Sequence, residues 1–220
     1  MKLLSTLALA LLSLSFFAGC SEDSPSNYNY NNDSSVYIKE IFPLAIGNQW
    51  TYFSTAYLPD GSIYRADSGR VMIDSAYTLK GIQGFMNTSL TPPQFLYYSG
   101  SEVRSFDMVT GKTNVIARYP MAINETITIE DTLFSDGFRS RTMMRIASEN
   151  TKVTVPAGTF TCVNYEIVEM YGKDGKLDTS TVLQKYFSKG VGRIKSIYYN
   201  YLSSKVQPQS VSELIHYSLK

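Results

Sequence analysis

The feature that most constrains this chain is its punctuation. Turn signals recur at close spacing: Pro59-Asp60-Gly61-Ser62, Ser99-Gly100-Ser101, Thr110-Gly111-Lys112, Asp136-Gly137, Pro156-Ala157-Gly158, Gly172 to Lys176, and Gly190-Val191-Gly192. The stretches between them are rich in β-branched and aromatic residues, which suit a pleated, half-buried surface. Thr126-Ile127-Thr128-Ile129-Glu130 alternates polar and apolar residues cleanly, the period of two that a strand with one buried face requires. After residue 35 no stretch combines an apolar repeat at 3.6 spacing with helix caps. Turns at this spacing predict an antiparallel meander.

The central stretch, Val153 to Cys162, reads as strand, tight turn, strand. Val153 and Val155 flank the polar Thr154. Pro156 presets φ at the first turn position, and Gly158 can take a positive φ without strain. Thr159 to Val163 restart a β-favouring run that continues to Tyr171. Further strands are predicted at Trp50–Leu58, Gln94–Tyr98, Glu102–Met108, Thr113–Arg118, Glu125–Leu133, Phe138–Glu149, Asp178–Phe187, Arg193–Tyr201 and Val211–Leu219. Ile63 to Leu79 reads as one long strand or two. Val36 to Phe42 reads as either a strand or a short helix, and Leu79 to Thr91 carries no clear pattern beyond room for a short helix.

Three motifs stand in order along the chain: Pro43-Leu44 with Gly47-Asn48 and Trp50, then Val155-Pro156-Ala157-Gly158-Thr159-Phe160, then Gly190-Val191-Gly192. Together they resemble a largely uncharacterised family of secreted bacterial lipoproteins with a PLxxGNxW start, a central VPAGTF turn and a GVG near the end. The resemblance spans residues 42 to 197. It implies a mainly β, single-domain curled antiparallel sheet or half-open barrel with few or short helices, similar to the lipoprotein-carrier folds that hold acyl chains. It carries no activity with it.

The N-terminus reads as an export segment. Lys2 is a short positive region, Leu3 to Phe17 an apolar run, and Phe17-Ala18-Gly19-Cys20 a small-residue ending before a cysteine. A run of about 15 apolar residues is short for a membrane span. The ending resembles a lipobox, which implies removal of residues 1–19 and acylation of Cys20. Each buried acyl methylene contributes about 0.8 kcal/mol, so the acyl chains would anchor the protein to the membrane. Residues 20–35 hold no aliphatic side chain and read as a tether. Ser21 after the cysteine resembles outer-membrane sorting, with the periplasmic or surface face left open. The expected organisation is leader 1–19, lipidated tether 20–35 and a β domain over 36–220.

Charge narrows the partners. The chain carries 20 Lys plus Arg and 19 Asp plus Glu, and removal of Lys2 with the leader leaves 19 of each sign. Such a balance offers nothing to attract nucleic acid. The expected partners are the membrane, through acyl chains, and an envelope ligand or protein.

Chemistry-bearing residues are sparse. With Cys20 consumed, Cys162 is the one remaining thiol, and it alternates with Phe160 as a small buried hydrophobe would. His216 is the only histidine. One histidine and one free cysteine are too few for a zinc site, and neither a nucleophile elbow nor a phosphate loop is present. No metal or cofactor is expected. Asp67, Asp74, Glu102, Asp107, Glu166 and Glu169 fall on predicted strands and leave carboxylate hydrolysis formally open, although solvated strand faces account for them. Tyrosine is abundant, at 17 residues. Tyr97, Tyr98, Tyr198, Tyr199 and Tyr201 form two clusters that read either as packing or as a face for a ligand. The expected function is non-enzymatic: an outer-membrane lipoprotein that binds a lipid or other apolar ligand, or serves a structural role. Alternatives are a Tyr-based carbohydrate- or peptide-binding surface and a carboxylate hydrolase.

Overall fold

Ile38 and Ile41 lie three residues apart and are both fully buried, so this segment takes the helical of its two predicted states. It forms α1 (Ser35–Ile41), and the Phe42 N–H extends it by donating to the Ile38 carbonyl at 2.8 Å. The helix starts on the residue predicted to end the tether. The computed structural model describes residues 35–220 except 90–91, 174 and 202–206. All of these fall in one compact unit, Asn31–Lys220. Cys20 and the rest of the predicted tether lie outside the described residues. No described helix is long and apolar enough to cross a membrane.

The remaining elements are strands, as the turn spacing predicts. β1 (Gln49–Tyr57) and β2 (Ile63–Met72) form the first hairpin. β3 (Ser75–Leu79), β4 (Ile82–Asn87), β5 (Gln94–Ser99), β6 (Glu102–Phe106) and β7 (Thr113–Arg118) follow. β8 (Thr126–Leu133), β9 (Phe138–Val155), β10 (Gly158–Lys173), β11 (Lys176–Ser188), β12 (Gly192–Asn200) and β13 (Pro208–Ser218) complete the chain. They build two antiparallel sheets, one of eight strands in the order β2-β1-β13-β12-β11-β10-β9-β8 and one of five in the order β3 to β7. Neither sheet closes on itself. The larger is a consecutive meander onto which β1 is grafted by pairing with β13, from Gln49 opposite Ser218 to Ala56 opposite Ser210. The smaller sheet is the connection between the two edge strands of the larger one.

Ile63 to Leu79 therefore divides into two strands in different sheets. The break is Ile73-Asp74. The Gly47 N–H donates to the Ile73 carbonyl at 2.8 Å, the Ile73 N–H to the Asn48 carbonyl at 2.9 Å, and the Asp74 N–H to the Met86 carbonyl at 2.9 Å. One residue pairs with the first motif and the next with the second sheet, so the chain changes sheet without leaving a backbone donor unpaired.

The unpatterned region holds a strand, β4, instead of a helix. Lys80 and Gly81 both have positive φ, 51° and 81°, as a two-residue hairpin turn requires. Gly84 interrupts the apolar pattern for a reason. A Cβ there would lie 2.5 Å from the Leu96 carbonyl oxygen and 2.6 Å from the Phe95 ring.

β9 and β10 form the longest hairpin, turning at Pro156-Ala157 as predicted. Gly158 has φ +136°. The predicted strands Phe138–Glu149 and Val153–Val155 join into one, bent by a bulge. Cys162 pairs with Thr151 but Asn164 with Ser148, and Asn150 sits at φ 61°, so the extra residue takes up the bend.

Candidate functional site

The first and third of the motifs predicted from sequence meet in space. The Trp50 indole N–H donates to the Val191 carbonyl at 2.6 Å. The Asn48 side-chain amide donates to the Pro43 carbonyl at 3.0 Å and accepts from the Lys220 N–H at 2.8 Å. Gly192 has φ +97°, and a Cβ on it would come within 3.4 Å of both Pro43 and Trp50. The central turn docks on β13, where the Ala157 N–H donates to the Leu214 carbonyl at 3.1 Å. The motifs thus hold β1, β12, β13 and the β9–β10 turn together.

Beside this knot lies a cavity of about 200 Å³ between the two sheets. Phe42, Pro43, Leu44, Trp50, Val71 and Ile73 form one part of its wall, and Leu96 and Ile116 of the smaller sheet face them. Its wall also includes Asn87, Gln94, Tyr52, Phe187, Lys185 and Arg193. Asn87 is already occupied, accepting from Ser89 Oγ at 2.5 Å.

The two cations are the unusual members. Lys185 is two residues from Phe187 on β11 and shares its face. Arg193 follows the GVG motif on β12. Its guanidinium lies 4.2 Å from the centre of the Tyr52 ring, a cation–π contact. The Tyr52 hydroxyl donates to the Arg193 backbone carbonyl at 3.0 Å, which fixes the ring under the guanidinium. The Arg193 Nε is buried without a hydrogen-bond partner. Among the described residues no carboxylate lies within ion-pair distance of Lys185 or Arg193. Burial, and then the Arg193 charge, push the Lys185 pKa down from 10.5 to about 8. Burial pushes the Tyr52 hydroxyl up, with Arg193 partly opposing it.

The residues singled out from sequence fall elsewhere. Tyr97 is buried and stacks on Phe95, with ring centres 5.8 Å apart. The Tyr98 hydroxyl clasps the loop after α1, donating to the Phe42 carbonyl at 2.7 Å and accepting from the Leu44 N–H at 2.8 Å. Burial pushes its pKa up to about 12. Tyr98 also edges two broader, more open depressions. Tyr198 and Tyr199 are half-buried on β12, in the other sheet, and Tyr201 is exposed beyond its end. The structure does not gather the five tyrosines around one ligand volume, and none lines the apolar cavity. Pro156 and Gly158 shape the turn and lie outside its wall.

Cys162 is buried, and burial alone pushes its thiol up to about 11, away from the thiolate a nucleophile needs. His216 is exposed on β13, paired across the ladder with Thr51. The six carboxylates are engaged locally. Glu102 is gripped by Arg104 and Arg118, Glu166 by Arg145 and Asp67 by Arg65. Asp74 accepts from the Thr88 N–H and hydroxyl, both at 2.6 Å, Asp107 from the Val109 N–H at 2.8 Å, and Glu169 from the Thr181 hydroxyl at 3.0 Å. Hydrogen bonds from Thr88 hold Asp74 below the usual carboxylate range. Those from Thr110 and Val109 do the same for Asp107. Glu102 is also held low: its two arginines outweigh the burial that would raise it. A general acid needs the opposite shift.

Sequence reasoning passed over Lys185 and Arg193. The signal was present in Lys185: a lysine two residues before Phe187 on an alternating strand occupies the same face as an aromatic ring. Arg193 carried no comparable signal, because its surroundings come from β1.

No family model matches this chain, and no curated protein sequence does. Several solved structures match this chain by fold, two of them as follows. One is a candidate exported protein with a YmcC-like fold from Bacteroides fragilis. It is 14% identical, with a TM-score of 0.50, over 81% of this chain and 99% of the other. The second is a candidate lipoprotein from Parabacteroides distasonis. It is 16% identical, with a TM-score of 0.47, over 83% of this chain and 98% of the other. The first likeness places this chain's open, two-sheet β architecture with that of the YmcC-like protein.

Proposed function

We propose that this chain is an envelope lipoprotein, anchored to the outer membrane through acylated Cys20, whose β domain binds a small apolar ligand without transforming it. The observation that carries the reading is the apolar cavity between the sheets, about 200 Å³ in volume. An engineered apolar cavity of about 150 Å³ stays dry and takes up benzene, so this volume suits one ring or one short chain. It falls below the roughly 300–1,000 Å³ of pockets for drug-sized ligands. The size argues for a single short acyl chain or ring and against the several chains that a carrier of whole lipoproteins would enclose.

Trp50 is the only tryptophan, so its indole N–H gives one resonance at the cavity wall. Titration of the unacylated Cys20→Ser chain with octan-1-ol should shift that resonance saturably. An unmoved indole signal at millimolar octanol would remove the cavity as a binding site.

A further inference from the structure

Lys185 and Arg193 make the cavity wall electrostatically one-sided. Both are cations, and no described carboxylate pairs with either. A cation facing a low-dielectric space without a counter-charge is costly, and the Arg193 Nε adds a buried donor with no acceptor. Every other polar group on the wall is neutral: the Asn87 and Gln94 amides, the Trp50 indole and the Tyr52 phenol. The indole and phenol hydrogens are already donated to the Val191 and Arg193 carbonyls. The wall therefore presents the Lys185 ammonium, without a carboxylate partner, beside an apolar volume too small for a large lipid, and Arg193, held against Tyr52 with its Nε enclosed, adds a second positive charge there.

A purely structural account of these cations covers less of what is seen. Arg193 stacks on Tyr52, which explains its guanidinium face but not its Nε. Half-buried Lys185 can run its stem along the wall and lift its head toward water, which does not explain why its charge stands beside another of the same sign. A carboxylate between them would satisfy both: arginine presents a planar fork suited to two carboxylate oxygens, and lysine a compact ammonium.

We infer that the ligand of this cavity is a small amphiphilic carboxylate, one short acyl chain or ring bearing a single anionic head, with Lys185 and Arg193 holding the head and the apolar wall taking the body. This rests on the cavity being a binding site, and the test separates the two ideas.

The Cys20→Ser chain is titrated calorimetrically at pH 7 with octanoate, octan-1-ol and octylammonium. Hydrogen bonds to charged groups add about ten- to a hundred-fold over a neutral head. Octanoate should bind at least ten-fold tighter than octanol, and octylammonium weakest. Lys185→Met should narrow the octanoate-to-octanol affinity ratio, both ligands measured on the same variant, by several-fold, with Arg193 keeping part of the preference, and Lys185→Arg should restore most of the ratio; a ratio unchanged in Lys185→Met would overturn the assignment of Lys185 to the head. Octyl phosphate run beside octanoate distinguishes a phosphate head from a carboxylate; tighter binding of the phosphate would overturn the carboxylate assignment. Equal affinity for octanoate and octanol would overturn the anionic head while leaving the apolar site standing. No binding by any of them would remove both.

Discussion

The Trp50 indole and the Val191 carbonyl, 141 residues apart in sequence, share a hydrogen bond of 2.6 Å. It ties the first strand to the turn before β12, with Trp50 on the wall of the cavity. Trp50 itself is 6% exposed. Trp50→Phe keeps an aromatic ring but leaves the Val191 carbonyl without its donor, at a cost of about 1–3 kcal/mol. Trp50→Ala adds a void and should cost about 3–5 kcal/mol. Urea denaturation should rank them wild type, Phe, Ala. Equal midpoints for wild type and Phe would show that the bond contributes nothing net.

Gly84 tests close packing in the smaller sheet. Gly84→Ala places a methyl group 2.5 Å from the Leu96 carbonyl oxygen, and backbone cannot give way as a flexible side chain can. Overpacking of this kind costs about 1–3 kcal/mol or more. A melting temperature lower by several degrees is expected, at about 2–4 °C per kcal/mol for a domain of this size. An unchanged melt would mean that β4 and β5 separate freely.

Gly158 tests the central turn. Its φ of +136° is one that side chains rarely adopt, so Gly158→Val should cost about 1–3 kcal/mol. Octanol binding to the folded variant should be unchanged, because the turn does not line the cavity. Thermal melts beside an Ala157→Ser control check the first expectation, and the indole shift checks the second. Loss of binding with an unchanged melt would make the turn a ligand contact.

Lys185 should trade stability for binding. Replacing an unpaired, half-buried cation by an apolar side chain of similar length is stabilising in other buried settings, so Lys185→Met should melt above wild type at pH 7. The effect depends on pH. The folded-state pKa of about 8 lies below the ordinary 10.5. Between these values the unfolded chain binds more protons, and wild-type stability from this group rises with pH across that window. The groups beside it are Arg193, the Tyr52 hydroxyl and Tyr165, its partner across the β10–β11 ladder. Burial raises both tyrosines above 10, so the window up to pH 9.5 belongs to Lys185. The gap between Lys185→Met and wild type should be widest at pH 7 and narrow by pH 9.5. A gap independent of pH would mean that packing alone sets it.

Cys20→Ser should release the protein from membranes, since the anchor is assigned to acyl chains on that residue. Fractionation after a carbonate wash is the check. A mutant that stays in the membrane pellet would place the anchor elsewhere.

Local chemistry decides some of this fold and not the rest. The period of two along Thr126 to Glu130, and Pro156 and Gly158 at a tight turn, depend only on neighbouring backbone geometry. These features made the antiparallel β class and the β9–β10 hairpin legible in the chain itself. The helix at Ile38 and Ile41 was ambiguous, because seven residues cover too few turns for a period to show. The break at Ile73-Asp74 was equally hidden, since its backbone partners are Gly47, Asn48 and Met86, each brought there by the fold. Pairing of β1 with β13 is also non-local, joining Gln49 to Ser218. The cavity follows from that pairing: Trp50 and Tyr52 enter from one end of the chain, Lys185 and Arg193 from the other. Two cations, one of them directly after the GVG motif, become a site only when the sheets bring them to one apolar wall and leave their charge uncompensated there. Periodicity and turn chemistry determined that the chain is an antiparallel β protein. Tertiary structure alone decided where its unpaired charge lies, because charge compensation depends on distances in space and not along the chain.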